Sequence, residues 1–337
     1  MKRRTTYAIV GAGIILFVMI PAYQILWAPN VFSGEQIVIV SKGMNFRQIG
    51  DSLEAHRVIR SRVLFEIAGK LLGKTRDIHI GKYLFRSGLS NSQILDYLST
   101  GKATMLVAVT IPEGLRAATQ ARVFKRDLGI DSARYAQLVR DSAFVRSLGI
   151  EANTLEGYLL PDTYLFYWQT DEERVISRLV EAFKEFYVDS LKRQAAEVAM
   201  TTNEVLTLAS IVEGEAILDS ERPIIAGVYF NRMRKRMRLQ ADPTLQYILE
   251  DGPRRLYYRD LQIQSPYNTY RHYGLPPGPI NNPGKASILA VLYPAKHRYL
   301  YFVSNGQGGH VFSRTYGEHQ RAVNRYRRSL RHRSLGR

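Results

Sequence analysis

Val205-Leu-Thr-Leu-Ala-Ser-Ile-Val-Glu-Gly-Glu215 is the segment around which the rest of the chain can be read. Val205, Leu208, Ala209 and Val212 recur at the i, i+3, i+4, i+7 spacing, so a helix over 202–213 turns this face to a core. Thr201 and Glu204 form a capping box for its first turn. Glu213 stands one turn after Ala209, on the edge of the apolar surface, while Glu215 points about 200° away at 100° per residue. Gly214 is expected to weaken or end the helix there. A carboxylate at this end feels the negative pole of the helix dipole and loses water. Both effects raise its pKa, which suits an acid that donates a proton near neutral pH. The same position also fits a half-buried glutamate hydrogen-bonded to a backbone N–H or paired with an arginine.

Downstream, Arg238-Leu-Gln-Ala-Asp-Pro-Thr244 reads as a polar turn opening a helix, with Asp242 or Thr244 as cap. Ser265-Pro-Tyr-Asn-Thr-Tyr270 and the stretch 274–283 are rigid loops rich in proline, amides and tyrosine hydroxyls. Such groups hydrogen-bond sugar hydroxyls, and the rings stack on pyranose faces. With 21 tyrosines in the chain, Tyr267 and Tyr270 among them in these loops, a saccharide groove is the better reading than plain connecting loops. Residues 299–304 and 310–313 flank Asn305-Gly-Gln-Gly-Gly309 and predict a β-hairpin. The basic run Arg232, Arg234, Lys235, Arg236, Arg238 reads either as a solvated helix face or as an attractor of anionic peptide or lipid. The Arg-rich end, from Arg321 to Arg337, divides the same way.

Upstream, 112–200 is mainly helical, over 116–128, 132–148 and 171–200, interrupted by the aromatic loop Glu156-Gly-Tyr-Leu-Leu-Pro-Asp-Thr-Tyr164. Residues 35–111 form a small α+β unit. Asn45 with Gln48, and Ser90 with Gln93, are capping boxes for two of its helices. At the front, Lys2, Arg3 and Arg4 precede a stretch without Asp, Glu, Lys or Arg from Thr5 to Gly34. Residues 7–28 are therefore expected to be a transmembrane helix, with 1–6 in the cytoplasm and the remainder outside the cytoplasmic membrane. A cleaved signal peptide is the alternative, but Trp27-Ala-Pro29 is a poor cleavage site.

Composition narrows the chemistry. The chain has 337 residues, enough for two domains, and 45% are hydrophobic. Lys plus Arg is 47 against 30 acidic residues, a formal charge of +17, which calls for an anionic partner. Outside the cytoplasm that partner is lipid or wall polymer rather than nucleic acid. The absence of cysteine excludes disulfides, thiolate metal sites, a Cys nucleophile and a lipoprotein anchor. There is no P-loop, His-Glu-x-x-His or Gly-x-Ser-x-Gly. His310 and His319 lack metal-ligand spacing, and Ser210 has no neighbouring base.

Ala209-Ser-Ile-Val-Glu213, Glu221-Arg222, Asn231-Arg232, Met237-Arg-Leu-Gln-Ala-Asp-Pro-Thr244, Tyr267-Asn-Thr-Tyr270, Gly274-Leu-Pro-Pro-Gly278 and Tyr299-Leu-Tyr-Phe-Val303 occur in this order. In order and spacing they resemble the endolytic murein transglycosylases of the MltG (YceG-like) family, over residues 30–330. The resemblance implies a fold of α+β class: an N-terminal transmembrane helix, a LysM-like subdomain at 35–111, a helical connecting part at 112–200 and a catalytic core at 201–326. The larger domain is mixed α/β with Pro/Gly-rich loops and a β-hairpin, and the basic tail 327–337 lies outside the family pattern. It implies a single-pass protein of the inner membrane that cuts MurNAc-β-1,4-GlcNAc bonds within nascent peptidoglycan strands, leaving 1,6-anhydroMurNAc ends that terminate elongation.

The family's catalytic Glu falls on Glu213, which would act as acid and then as base, so a second carboxylate is not required. Gln240, Asp242, Thr244, Tyr267, Asn268, Tyr270 and Glu156 are the expected substrate-binding residues. No metal or organic cofactor is implied. The partners implied are the glycan strand, membrane lipid through the N-terminal helix and a peptidoglycan synthase. Three other readings stand beside this one, of which a polyanion-binding membrane protein is favoured by charge alone and disfavoured by the placement outside the cytoplasm. A non-catalytic wall-binding scaffold would keep the groove without needing Glu213. A muramidase-type hydrolase would need a second acid, for which Glu156, Asp162 and Asp242 are candidates.

Overall fold

The computed structural model describes residues 17–249 and 252–335, with side chains described up to Leu330. The chain divides into two compact units. The first comprises the residues up to Val109 together with Asp127–Gly129 and Leu165–Thr170.

In the first unit, α1 (residues 17–26) is the described part of the expected membrane helix; residues 7–16 lie outside the described residues. Phe17, Val18, Met19, Ile20 and Tyr23 on it are exposed. No helix among the described residues is long and apolar enough to cross a membrane, so the expected spanning helix is not found there. Strand β1 (Glu35–Val40) pairs antiparallel with β2 (Gly81–Arg86), Val38 opposite Tyr83. Between them run α2 (Phe46–Ala55) and α3 (Arg62–Leu71), and α4 (Asn91–Thr100) follows. Both expected capping boxes form, at Asn45/Gln48 and Ser90/Gln93. The helices lay Ile49, Leu53, Phe65, Ile94, Leu95 and Leu98 on Val38, Tyr83 and Phe85, one continuous apolar core. Strand β3 (Leu106–Thr110) pairs with β4 (Thr163–Tyr167). The latter strand forms where the aromatic loop was expected to continue, because Tyr164 and Phe166 alternate inward with period two.

The second unit is built of helices. Helix α5 (Ala117–Leu128) belongs to it up to Arg126, followed by α6 (Ser132–Arg140), α7 (Ser142–Ser147), α8 (Glu172–Phe186) and α9 (Asp189–Glu197). Two helices expected to be continuous are broken. Asp141 caps α7 through Ala143 and Phe144 N–H, and extended backbone at Val188 separates α8 from α9. Helix α10 (Thr202–Glu215) is the central one: every residue from Val205 to Val212 is buried, so it has no solvated face there. It packs against α11 (Arg222–Arg234), α12 (Asp242–Ile248) and α13 (Lys285–Leu292). Helix α13 was hidden in the sequence behind a proline-rich run, yet Ile288, Val291 and Leu292 fill the core. Strands β5 (Tyr301–Ser304) and β6 (His310–Ser313) form the expected hairpin, its turn held by Asn305 Oδ1 accepting from Gln307 and Gly309 N–H. Helix α14 (Tyr316–Leu335) carries the basic end of the chain as a helix.

Candidate active site

Two carboxylates leave the C-terminal end of α10 in opposite directions, and their surroundings differ. Glu213 meets Arg222 of α11, Nη1 to Oε1 at 3.0 Å, with the two side chains only 8% and 7% exposed. Its Oε2 accepts the N–H of Gly284 at 2.9 Å. Arg222 is further held by Asp219 at 2.8 Å and by Ser287, and Glu113 lies 3.8 Å away. Gly284 is required here, since a Cβ would strike the Glu113 carboxylate. The backbone N–H and the arginine that the sequence left open for Glu213 are thus both present. Burial first, and then the Glu213 charge, raise the Glu113 carboxyl above the usual range.

Glu215 points into a cavity of about 440 Å³. Tyr229 Oη donates to its Oε1 at 3.0 Å, and the Asp242 backbone N–H donates as well. Burial first, then the neighbouring Asp242 carboxylate, push the Glu215 carboxyl up to about 7 against those hydrogen bonds and the Arg232 charge. The cavity is lined by Arg232, Leu239, Gln240, Asp242 and Tyr270 together with Tyr301, Phe302, His310, Tyr316 and His319 of the hairpin and the helix after it. It therefore sets one acid near neutrality among hydroxyls, amides and aromatic faces. Among the described residues no group of three or more His, Asp or Glu side chains could hold a metal ion.

Local backbone places Glu215 in this cavity. Gly214 lets Pro243 approach: a Cβ on Gly214 would lie 2.7 Å from Pro243 Cβ. That contact seats the N-terminus of α12 against the end of α10 and brings Asp242 to Glu215. Gly214→Ala is expected to cost about 1–3 kcal/mol through overpacking. It should also lower activity by displacing Asp242, read by urea unfolding beside a cleavage assay.

The expected binding residues separate into three groups. Gln240, Asp242 and Tyr270 line the Glu215 cavity. Tyr270 Oη donates to Asp242 Oδ1 at 2.5 Å, and Gln240 takes a left-handed φ of 49°, a strained setting for a side chain at a site. Thr244 and Asn268 are fully buried and tie the loops together: Thr244 Oγ1 donates to Ala241 O at 2.7 Å, and Asn268 Nδ2 donates to Ile263 O at 2.8 Å. Tyr267 and Glu156 stand apart from that cavity. Tyr267 packs tilted against Tyr247 with ring centroids 4.8 Å apart, and Glu156 lines a separate cavity beside that tyrosine.

Sequence reasoning missed Tyr229, Arg232 and the hairpin wall. His310 is oriented by Glu221, whose Oε2 lies 2.7 Å from Nδ1. His319 stacks on Tyr301 at 5.2 Å; its buried Nδ1 makes no hydrogen bond among the described residues, and burial followed by Arg232 lowers its pKa. The signals in the sequence were the Asn231-Arg232 motif and the aromatic run Tyr299-Leu-Tyr-Phe-Val303, whose Tyr301 and Phe302 both line the cavity.

Comparison with known proteins bears on this arrangement. A family model described as the YceG-like family matches residues 38–325. A protein of Bacillus subtilis (strain 168) named endolytic murein transglycosylase is 32% identical over 302 residues, covering 85% of this chain and 83% of its own length. One of the same name from Streptococcus pneumoniae (strain ATCC BAA-255 / R6) is 28% identical over 308 residues, 81% of this chain and 55% of that one. The crystal structure of a yceG-like protein from Listeria monocytogenes superposes with a TM-score of 0.61 at 32% identity, covering 85% of this chain and 98% of that chain.

Proposed function

Because the chain belongs to the YceG-like family, we propose that it is a lytic murein transglycosylase that cuts MurNAc-β-1,4-GlcNAc bonds within peptidoglycan strands, with Glu215 as its acid and base. The observation that carries the assignment to Glu215 is its place in a cavity lined by Gln240, Asp242, Tyr270, Tyr301 and Tyr316, where burial and the Asp242 charge push its carboxyl up to about 7. The sequence had put this role on Glu213. That residue instead faces a buried arginine and a backbone N–H, which leaves it no open side toward a glycan.

Protonated Glu215 gives its proton to the glycosidic oxygen as the bond to C1 breaks. As carboxylate it then takes the proton of the C6 hydroxyl of the same MurNAc, whose oxygen closes on C1 to the 1,6-anhydro ring. To the Asp242 carboxylate, which accepts from Tyr270 Oη at 2.5 Å, we assign the stabilisation of the positive charge that develops at the sugar. Tyr301, Tyr316 and Phe302 offer faces on which pyranose rings stack.

The finer setting belongs to the same reading. The apolar stretch 7–28 behind Lys2, Arg3 and Arg4 anchors the enzyme in the cytoplasmic membrane with the rest of the chain beyond it outside. The β1-α2-α3-β2 arrangement serves as a LysM-like glycan holder, and a peptidoglycan synthase supplies the nascent strand.

Mass spectrometry of products released from peptidoglycan by the full chain tests the reaction. Anhydro-ended fragments are expected. Reducing ends would instead make it a hydrolase with Asp242 activating water, and bound sacculi without products would make it a scaffold.

A further inference from the structure

Helix α12 serves two cavities. Asp242, its first residue, lines the Glu215 cavity, while Tyr247, about 8 Å further along the axis, lines a second one of about 440 Å³. The loop after it does the same: Tyr270 lines the first cavity, and the Tyr267 ring packs against Tyr247.

The charged groups of the second cavity are Glu156, Arg116 and Arg140, beside the hydroxyls of Thr154 and Tyr247. Glu156 Oε1 accepts from Ala117 N–H at 3.0 Å and from Asn282 Nδ2 at 2.8 Å, so the carboxyl is fixed in place. Arg116 donates to Gln246 O at 2.6 Å and lies 4.8 Å over the Tyr247 ring, which leaves the rest of its fork uncommitted. Arg140 ends α6 and has no acidic group within ion-pair distance among the described residues. Burial before all else holds the Glu156 carboxyl up at about 7, so the cavity carries a surplus of positive charge at neutral pH. Ala136 and Val139 give it an apolar wall. Two guanidinium groups call for a carboxylate, a fixed carboxyl calls for an N–H donor, and the apolar wall fits methyl groups. A short acidic peptide carries all three.

We propose that this cavity is a peptide subsite: Arg116 and Arg140 hold a carboxylate, and Glu156 an N–H, of the short acidic peptide borne by the strand that the Glu215 cavity cleaves. The proposal rests on the peptidoglycan reading above and deepens it.

Calorimetric titration of the full chain with the free peptide L-alanyl-γ-D-glutamyl-L-lysine, and with its amidated form, tests it. The acidic form is expected to bind and the amidated form to fail. Arg140→Gln, at an exposed position, should keep the melting temperature and raise Kd about tenfold through the lost charge-assisted hydrogen bonds. In cleavage assays the wild type should show a lower KM for peptide-bearing than for peptide-free strands. Arg140→Gln should erase that difference with kcat on bare strands unchanged. Equal binding by the wild type and Arg140→Gln, or the same KM for both strands in the wild type, would overturn the subsite. If no strand is cut but the acidic peptide binds in an Arg140-dependent way, the subsite stands and the transglycosylase reading falls.

Discussion

Glu215→Gln is expected to lower kcat by about 10³–10⁴ while the protein stays folded, since one residue supplies both proton transfers. The amide is nearly isosteric with the carboxyl. Its oxygen still accepts from Tyr229 Oη, which donates to Glu215 at 3.0 Å in the present structure. What it loses is the proton, which the wild-type carboxyl holds up to about 7. The sign of the pH dependence follows from this. A donor must be protonated, so wild-type kcat/KM should fall as pH rises above about 7, and the residual rate of Glu215→Gln should lack that limb. Glu213→Gln should behave oppositely. Cleavage stays within about tenfold of wild type, and stability drops by about 1–3 kcal/mol as Arg222 loses a charged partner. Steady-state rates on purified strands, beside thermal melts of both variants, decide the matter. A dead Glu213→Gln enzyme with wild-type stability, alongside an active Glu215→Gln, would return the role to Glu213.

Arg222→Met is expected to destabilise the second unit by about 3–5 kcal/mol. Arg222 is 8% exposed, and removing it leaves Glu213, 7% exposed, as a buried charge without its cation. Glu113, 3.8 Å from the same guanidinium, would then face Glu213 with no cation between the two carboxylates. The double variant Arg222→Met/Glu213→Gln should recover a large part of the loss, because a neutral amide beside a thioether leaves no buried charge. Urea midpoints of the four proteins of this cycle give the coupling. Additive losses would mean that the pair contributes nothing of its own, and the stabilising part would have to lie with Asp219 and Ser287.

How much could be read beforehand followed the range of each interaction. Capping boxes at Asn45, Ser90 and Thr201 are contacts within one turn, and all three formed as read. The hairpin turn was legible because Asn305 bonds to Gln307 and Gly309 close by. Helix α13 was not, because the proline-rich run before it hid its start and its burial depends on α10 and α11. Helical periodicity placed Glu213 and Glu215 on opposite sides of α10 and identified one apolar face. It said nothing about burial on every side, which needed three packed helices.

The sequence by itself therefore determined the family motifs, the local caps and turns, and a helix ending in two acids. Only the tertiary structure decided which acid meets Arg222 and Gly284, and which meets Tyr229, Asp242 and the wall of the hairpin. The reason is physical. A carboxylate's pKa and access are set by charges and solvent within a few ångströms, and at the end of α10 nearly all of those neighbours arrive from distant parts of the chain.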